Sequence, residues 1–404
     1  MPGAFLYDNR ITAEAGLSAS VPVPAAMPVE NLLDPQPRRR ARLLASAASL
    51  TVDLRASAAV DCLALLSTNL TPAATVRWRV GALESFAEPT SYSLDNTEGA
   101  TIGPNTMRVG SATAADGSSV PVYRNSATSQ SYVQRNVTLA ANVRYRWTVR
   151  AMRVAGSGTT GQIISAVYHD GTGTTRANLS MSALPLTGEA DLSVEFLNRV
   201  AGTYAMYMFT FVGPEGGDVA LWNGRLTPIA EYDSGTILAE TGPDAGGNVI
   251  LVSPASASGQ YFRMDLSDGS LPYIDVGRVV AGPLWRPRWA MEYGVREGRL
   301  ILDRRDRNPF TGAEFPTRAV ANPRTVTFTL PIAANSELHS AHRELVEKLG
   351  AAGDALWIPE LSLSLSERNR RSIWGAVNAA GEEAVSEHVA YSLARRQFRM
   401  VERL

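Results

Sequence analysis

Histidine and cysteine, two residue types that often carry out acid–base or metal chemistry, are scarce in this chain. The histidines are His169, His339, His342 and His388. Because His339 and His342 are three residues apart, a helix would place both imidazoles on one face, which is half of a metal site, but the segment from Asn335 to Gly350 supplies no third ligand in an obvious position. His169 and Asp170 open a glycine turn, where an acid–base pair is the alternative to ordinary turn chemistry. We therefore predict no catalytic residue and no metal ligand.

The segment 303–308 has oxygen ligands at a spacing that could hold calcium, but its intervening arginines repel a cation. It also lacks the glycine and the terminal glutamate of a calcium loop. The sequence contains no phosphate loop and no GxSxG. We predict that the protein needs no cofactor and is not an enzyme. A glycan depolymerase with two carboxylates is the alternative, because residues distant in sequence can meet in space.

Aromatic residues are better candidates for binding. Tyr123, Tyr168 and Trp222 stand near loop-like residues in the middle of the chain. We predict that they are exposed and contact a ligand, with core or rim positions as the alternative. A second candidate cluster consists of two tryptophans and two arginines, namely Trp285, Arg286, Arg288 and Trp289. These residue types are enriched at protein interfaces, and a hinge packed by its own tryptophans is the alternative.

An arginine run follows the proline-containing segment 34–37. It consists of Arg38, Arg39, Arg40 and Arg42. A phosphate or carboxylate contact is one interpretation, since a guanidinium binds such groups in a bidentate manner. The surrounding charge is balanced, which favours the other interpretation, a solvated loop.

Length and composition limit the class of protein. A chain of 404 residues exceeds what one core usually supports and favours two to four domains of roughly 100–150 residues. The formal net charge of −1 makes nucleic acid an unlikely partner. A single cysteine, Cys62, excludes an intrachain disulfide. Neither an export signal nor a run of about 18 apolar residues is present, so we predict a protein made in the cytoplasm without a membrane span.

The order of strand-like segments indicates an interrupted β-sandwich. Residues 1–30 contain alternating valine and proline and are predicted to form an extended arm. Short apolar strands separated by Asn, Pro and Gly then occupy 31–84, and matching strands return at 236–289. We predict that these two segments fold together as one sandwich.

The middle segment, 85–235, is rich in Gly, Ser and Thr and still contains many short strands. In the clearest of them, 143–151, the apolar residues and the arginines alternate, so one strand face belongs to a core. Many strands without a long helical pattern predict a complete inserted sandwich of the jelly-roll type.

The last segment, 290–404, combines strands with the best helical pattern in the chain. A helix is predicted from Asn335 to Gly350, with an apolar stripe that includes Leu345 and Leu349. Strands are predicted around it, for example at 324–330 and 355–358. This pattern indicates a small α+β domain suited to oligomerisation or attachment.

Particular segments resemble known families. Asn31-Leu32-Leu33-Asp34-Pro35 and the strand 59–65, together with 261–266 and 273–278, resemble the discoidin-like (galactose-binding-like) sandwiches of bacteriophage minor tail proteins. Tyr132-Val133-Gln134, followed by 143–149, is similar to a carbohydrate-binding jelly roll. The layout of the last domain is similar to that of ring-forming domains of tail-tip proteins.

The resemblance implies a structural protein of a phage tail, located in the virion tail after synthesis in the host cytoplasm. Its partners would be other copies of itself, as a trimer or hexamer, and other tail proteins. The inserted module would present a host-surface binding site, with host glycan as its ligand. A glycan-binding protein for receptor recognition is the alternative function, and the depolymerase is the less favoured one.

Overall fold

The protein is described by a computed structural model. The described residues are 3–95, 98–125, 131–155, 162–180, 188–210, 218–242, 245–289, 294–307, 310–311, 313–317, 322–332, 340, 343–349, 353–377, 386–390 and 393–403. Strands dominate them, which confirms the predicted mainly β class. They divide into two compact units, a discontinuous unit of Met1–Val80 with Tyr232–Leu404, and an inserted unit of Gly81–Glu231.

The helical elements are short. Single 3-10 turns lie at Val29–Leu33 and Leu83–Phe86. The described α-helices are α1 (Arg343–Leu349) and α2 (Leu365–Arg371). The helix predicted from Asn335 to Gly350 thus includes α1, and positions 335–339, 341–342 and 350 lie outside the described residues.

The strands are numbered in chain order. Before the insertion they are β1 (Ala4–Leu6), β2 (Gly16–Ala19), β3 (Ala41–Leu43), β4 (Ala47–Leu66) and β5 (Thr75–Gly81). In the inserted unit they are β6 (Thr90–Tyr92), β7 (Thr101–Ile102), β8 (Thr106–Thr113), β9 (Ser119–Asn125), β10 (Ser131–Leu139), β11 (Val143–Ala155), β12 (Gln162–His169), β13 (Thr174–Ser180), β14 (Glu189–Asn198), β15 (Gly202–Thr210) and β16 (Asp218–Ile229). After it they are β17 (Tyr232–Asp233), β18 (Ile237–Leu238), β19 (Val249–Ser267), β20 (Ile274–Val276), β21 (Arg278–Gly282), β22 (Arg296–Arg299), β23 (Arg304–Arg307), β24 (Glu314–Thr317), β25 (Arg324–Ile332), β26 (Asp354–Ile358), β27 (Ile373–Val377), β28 (Ser386–Ala390) and β29 (Leu393–Glu402).

A seven-stranded sheet joins the two flanks of the insertion. Its order is β17-β5-β19-β4-β2, with β18 on β5 and β21 on β4. The long strands β4 and β19 pair from Leu65 with Val249 to Ala47 with Ser267. One face packs a core that includes Trp78 and Phe262, and the small sheet β20-β3 contributes Ile274 to it. Strands from before and after the insertion thus pair directly in this sheet.

The other face of this sheet is covered as well. Burial alternates along the first half of β4 and becomes continuous from Cys62 to Leu66. A strand that is buried on both faces loses its alternating pattern. The covering layer is a second seven-stranded sheet, β1-β26-β27-β29-β25-β22 with β28 on β29. Leu356 and Trp374 of this second sheet share a core with Cys62, and Leu345 and Leu349 of α1 pack on its far face.

The N-terminal segment is more ordered than the predicted extended arm. β1 pairs with β26, and Ala4, Phe5 and Leu6 are at most 1% exposed. Phe5 enters one core of the second sheet, while Ala4 and Leu6 enter the other. β2 pairs with β4. Apolar residues on both faces explain why this part of the chain is packed.

The inserted unit is a sandwich of two sheets. Their orders are β13-β12-β15-β10-β7, and β14-β11-β16-β9-β8 with β6 on β16. Trp147 and Phe196 of the six-stranded sheet meet Val133 and Met208 of the five-stranded sheet in one core. Side chains of successive strand residues alternate between this core and the outer faces.

Candidate functional site

The residues predicted to bind a ligand do not converge on one surface. Tyr123 is 2% exposed, and its hydroxyl donates a hydrogen bond to the Leu94 carbonyl at 2.7 Å. The expectation of an exposed ring there is corrected, because β9 directs Tyr123 into the sandwich core. Tyr168 is half-buried on the inner face, with its ring 5.0 Å from Phe196. Trp222 is half-buried on the outer face of the six-stranded sheet, 6.0 Å from the Arg150 guanidinium.

The outer face of the five-stranded sheet has a different character. Val133 and Val137 of β10 and Met206 and Met208 of β15 are buried in the core. The residues that alternate with them along each strand must therefore point outward. They include the aromatic and amide side chains of Tyr132, Gln134, Asn136 and Tyr207.

Strand register brings these outward residues into a row. Gln134 pairs with Thr101 on one side and Tyr207 on the other, and Ser165 pairs with Tyr207 and Asn178. The row therefore crosses all five strands. At the usual strand spacing it is about 19 Å long. We call this row, together with Tyr132 and Arg176, the tyrosine face.

The two tyrosine rings are held in place by close neighbours. Their centroids are 5.6 Å apart, with an angle of 84° between the planes of Tyr132 and Tyr207. The Arg176 guanidinium lies 5.1 Å from the Tyr207 ring centroid. Gly103 lies against the other ring, because a Cβ there would come within 2.8 Å of Tyr132. Both rings are half-buried, so each keeps some surface for contact.

The polar groups of the row are neutral. Phenol, amide and hydroxyl groups can both donate and accept hydrogen bonds. The Ser165 hydroxyl is buried and has no hydrogen-bond partner within the described part of the chain. A buried hydroxyl group normally has a hydrogen-bond partner in a folded protein. The described members of the row carry no carboxylate, and its phenol, amide and hydroxyl groups can form hydrogen bonds while its rings can stack.

Hydrogen bonds within the turn involve both His169 and Asp170. Asp170 accepts hydrogen bonds from Thr172 and Gly173, which lower the pKa of this carboxyl to about 2. The His169 Nδ1 accepts a hydrogen bond from the Gly171 backbone at 3.0 Å. Ordinary turn chemistry thus accounts for both residues. Among the described residues, no group of three or more His, Cys, Asp and Glu side chains could hold a metal ion.

Some of the other metal-site candidates lie outside the described residues. His339 and His342 lie outside them. The segment 303–308 contains β23, which pairs with β24 in a hairpin, and its Asn308 lies outside the described residues.

The predicted interface cluster is divided between the interior and the surface. Trp285 stacks on Phe5 with a centroid distance of 5.5 Å, and the two backbones exchange hydrogen bonds. This contact agrees with the alternative of packing within the protein itself. Arg286, Arg288 and Trp289 are exposed, Trp289 to 52%. No described helix is long and apolar enough to cross a membrane.

Comparison with known proteins gives likeness only to solved structures. No protein-family model and no curated protein matches the chain. A family 16 carbohydrate-binding module has 18% identity, with 29% of this chain and 82% of that chain covered and a TM-score of 0.24. The CBM22-1 xylan-binding domain of Paenibacillus barcinonensis Xyn10C has 14% identity, 35% and 93% coverage and a TM-score of 0.27. The C-terminal CBM6 of LamC from Zobellia galactanivorans has 18% identity, 35% and 99% coverage and a TM-score of 0.23. These values are too low to define a function.

Proposed function

We propose that the inserted unit binds a glycan on the tyrosine face. The observation that carries this proposal is the register that places Tyr132 and Tyr207 beside Gln134 on one outer face. A sugar ring has an apolar side, which can stack on an aromatic ring, and a rim of hydroxyl groups. A row that combines aromatic rings with neutral donors and acceptors matches both properties.

A glycan array with the full-length chain tests this proposal. We expect binding to at least one polysaccharide class, and a loss of about fivefold to tenfold in affinity for Tyr207→Ala, since ring stacking is worth on the order of 1 kcal/mol. Trp222→Ala is the matched control, because Trp222 is also half-buried but lies on the outer face of the opposite sheet. Silence on the array, or loss of binding with Trp222→Ala alone, would refute the assignment.

We propose further that the chain is a structural component of a phage tail that assembles with copies of itself. The self-assembly in this proposal is supported by a concentration of exposed apolar side chains in one segment. They are Trp289 at 52%, Val295 at 38%, Leu300 at 40%, Ile301 at 72%, Leu302 at 49% and Phe310 at 94%. Exposed apolar groups that cluster in this way are typical of protein interfaces.

Light scattering after size-exclusion chromatography tests the assembly. We expect a trimer or hexamer for the wild type and smaller species for Leu302→Glu. Leu44→Glu is the matched control, since Leu44 is 50% exposed and lies in another part of the same unit. A monomeric wild type would contradict self-assembly, and electron microscopy of particles labelled against this chain would test the location in the virion tail.

We propose that the protein is not an enzyme. Incubation with host envelope polysaccharide, followed by a reducing-end assay, would reveal any glycan depolymerase. Release of oligosaccharide would overturn this proposal and leave the binding proposal intact.

A further inference from the structure

A cavity of about 270 Å³ in the discontinuous unit concentrates positive charge. Its charged lining residues are Arg38, Arg40, Arg299, Arg324, Arg403 and Glu402. The whole chain has 38 basic and 39 acidic residues, so five arginines facing one carboxylate depart strongly from the average. A concave surface with one sign of charge raises the local concentration of ions of the opposite sign.

Two of the five arginines are already neutralised. The Nε and Nη2 of Arg324 donate to Glu402 Oε1 at 2.9 and 2.6 Å. The Nε of Arg403 donates to Asp354 Oδ1 at 2.9 Å. The first pair joins the start of β25 to the end of β29, and Arg324, Glu402 and Arg403 line one wall of the cavity.

The other three guanidinium groups have no carboxylate partner within the described ranges. Arg40 Nη2 donates to the neutral Ser67 hydroxyl at 3.1 Å. Arg299 Nη1 donates to the Asn322 carbonyl at 3.3 Å. Arg38 is exposed and has neither a hydrogen bond nor an ion pair with any residue that the structure describes. Each group keeps unused N–H donors, because a guanidinium carries five.

The wall behind these arginines adds a further positive charge and unused donors. Trp374 lines the cavity, is 4% exposed, and its indole N–H has no hydrogen-bond partner among the described residues. Arg278 is 8% exposed, and its guanidinium lies 5.0 Å from the Trp374 ring centroid. Its Nη1 donates to the Leu33 carbonyl at 2.9 Å, which is a neutral partner.

The loop that carries Arg38 and Arg40 is fixed by a close backbone contact. A Cβ at position 277 would lie 2.0 Å from the Pro37 carbonyl oxygen. Glycine is therefore required at position 277 for the loop to come this close. The loop that carries Arg38 and Arg40 therefore packs closely against the backbone at Gly277. A loop that is already ordered loses less conformational entropy when a ligand binds.

We propose that this cavity binds a phosphate group. Planar guanidinium groups form paired hydrogen bonds with phosphate oxygens. A dianion with several oxygens can satisfy three guanidinium groups at once, whereas a single carboxylate supplies one charge and two oxygens. The cavity lies in a different unit from the tyrosine face, so this site goes beyond the proposed glycan binding.

Isothermal titration calorimetry with the full-length chain tests the proposal. The probes are inorganic phosphate, glycerol 3-phosphate and acetate. We expect saturable phosphate binding that weakens as salt is added, and at least about tenfold weaker binding for the double variant Arg38→Ala with Arg40→Ala. Arg343→Ala is the matched control, because Arg343 is an exposed arginine of the same unit that pairs with Glu347.

The outcomes separate the sources of the phosphate group. Tighter binding of glycerol 3-phosphate assigns the site to a phosphate monoester, and tighter binding of inorganic phosphate assigns it to the free ion. Absence of binding by both, equal affinity of acetate and phosphate, or unchanged binding in the double variant overturns the proposal. A thermal melt of the double variant without ligand shows that it is folded, and its glycan binding stays intact because the tyrosine face is unchanged.

Discussion

Asp265 gathers hydrogen bonds from both flanks of the insertion. Its carboxylate accepts from the Ser49 hydroxyl at 2.6 Å, from Arg263 Nε at 2.7 Å and from Arg79 Nη2 at 2.7 Å. Burial acts to raise the pKa of this carboxyl, but the hydrogen bonds from Ser49 and Arg263 and the charge of Arg79 lower it overall. Arg79 is 5% exposed, so Asp265 compensates a buried guanidinium.

We predict that Asp265→Asn lowers the free energy of unfolding at pH 7 by about 2 kcal/mol, because a charged hydrogen-bond partner of a buried arginine is lost. Since the folded pKa lies below the unfolded value of about 3.9, the stabilisation is complete above that pH and disappears as the pH falls through the folded pKa. Urea unfolding at neutral and acidic pH measures both effects.

Asp233→Asn is the control for this substitution. Asp233 pairs with Arg77 in the same sheet, and both side chains are 36% exposed. An exposed pair contributes at most about 1 kcal/mol. Equal losses for the two variants at pH 7 would contradict the role assigned to Asp265.

Gly103 supports the tyrosine face without belonging to its row. We predict that Gly103→Ala weakens glycan binding several-fold, because the added methyl group would meet the Tyr132 ring at 2.8 Å and displace it. Gly173→Ala is the control, since a Cβ there meets no atom within 4 Å. Titration of both variants with a glycan identified on the array measures the effect, and equal affinities would show that the ring position is unimportant.

At the scale of elements, local patterns predicted the strands better than the pairings. The strands expected at 324–330 and 355–358 correspond to β25 and β26. Helix α2 was missed, although Ser364 caps it by accepting a hydrogen bond from the Glu367 backbone. That pair is a capping-box signature. The helix has only seven residues, which is too short for a clear apolar period.

The tyrosine face shows why a site can escape sequence reasoning. The alternation of Val133 and Val137 around outward residues was visible in the sequence. It could have placed Tyr132 on an outer face. Its meeting with Tyr207 depends on the pairing of β10 with β15. Register between strands so distant in sequence is decided by the whole sheet rather than by local residues.

Cys62 lies in the contact between the two seven-stranded sheets, so the reactivity of its thiol measures how tightly they pack. It is fully buried between them, and burial raises the pKa of its thiol to about 12. We predict that a thiol reagent such as DTNB does not modify the native protein at pH 8 and modifies one thiol after unfolding in urea. Rapid modification under native conditions would mean that the sheets separate readily.

At the scale of the whole molecule, the insertion leaves from and returns to adjacent positions. Val80 of β5 pairs with Tyr232 of β17. We predict that replacing Gly81–Glu231 by an Asn-Gly turn leaves a folded discontinuous unit, because a two-residue turn can join paired antiparallel strands. Cooperative unfolding and continued protection of Cys62 measure this outcome. A shortened chain that exposes its thiol would contradict it.

β1 pairs with β26, and β4 pairs with β19. These pairings affect the order in which parts of the chain fold during synthesis. The first strand must wait for a partner made more than 300 residues later, whereas the inserted unit has all its strands in one continuous stretch. Contacts between distant residues form slowly. We expect the inserted unit to fold during translation, and the surrounding layers to close only after β26 has been synthesised.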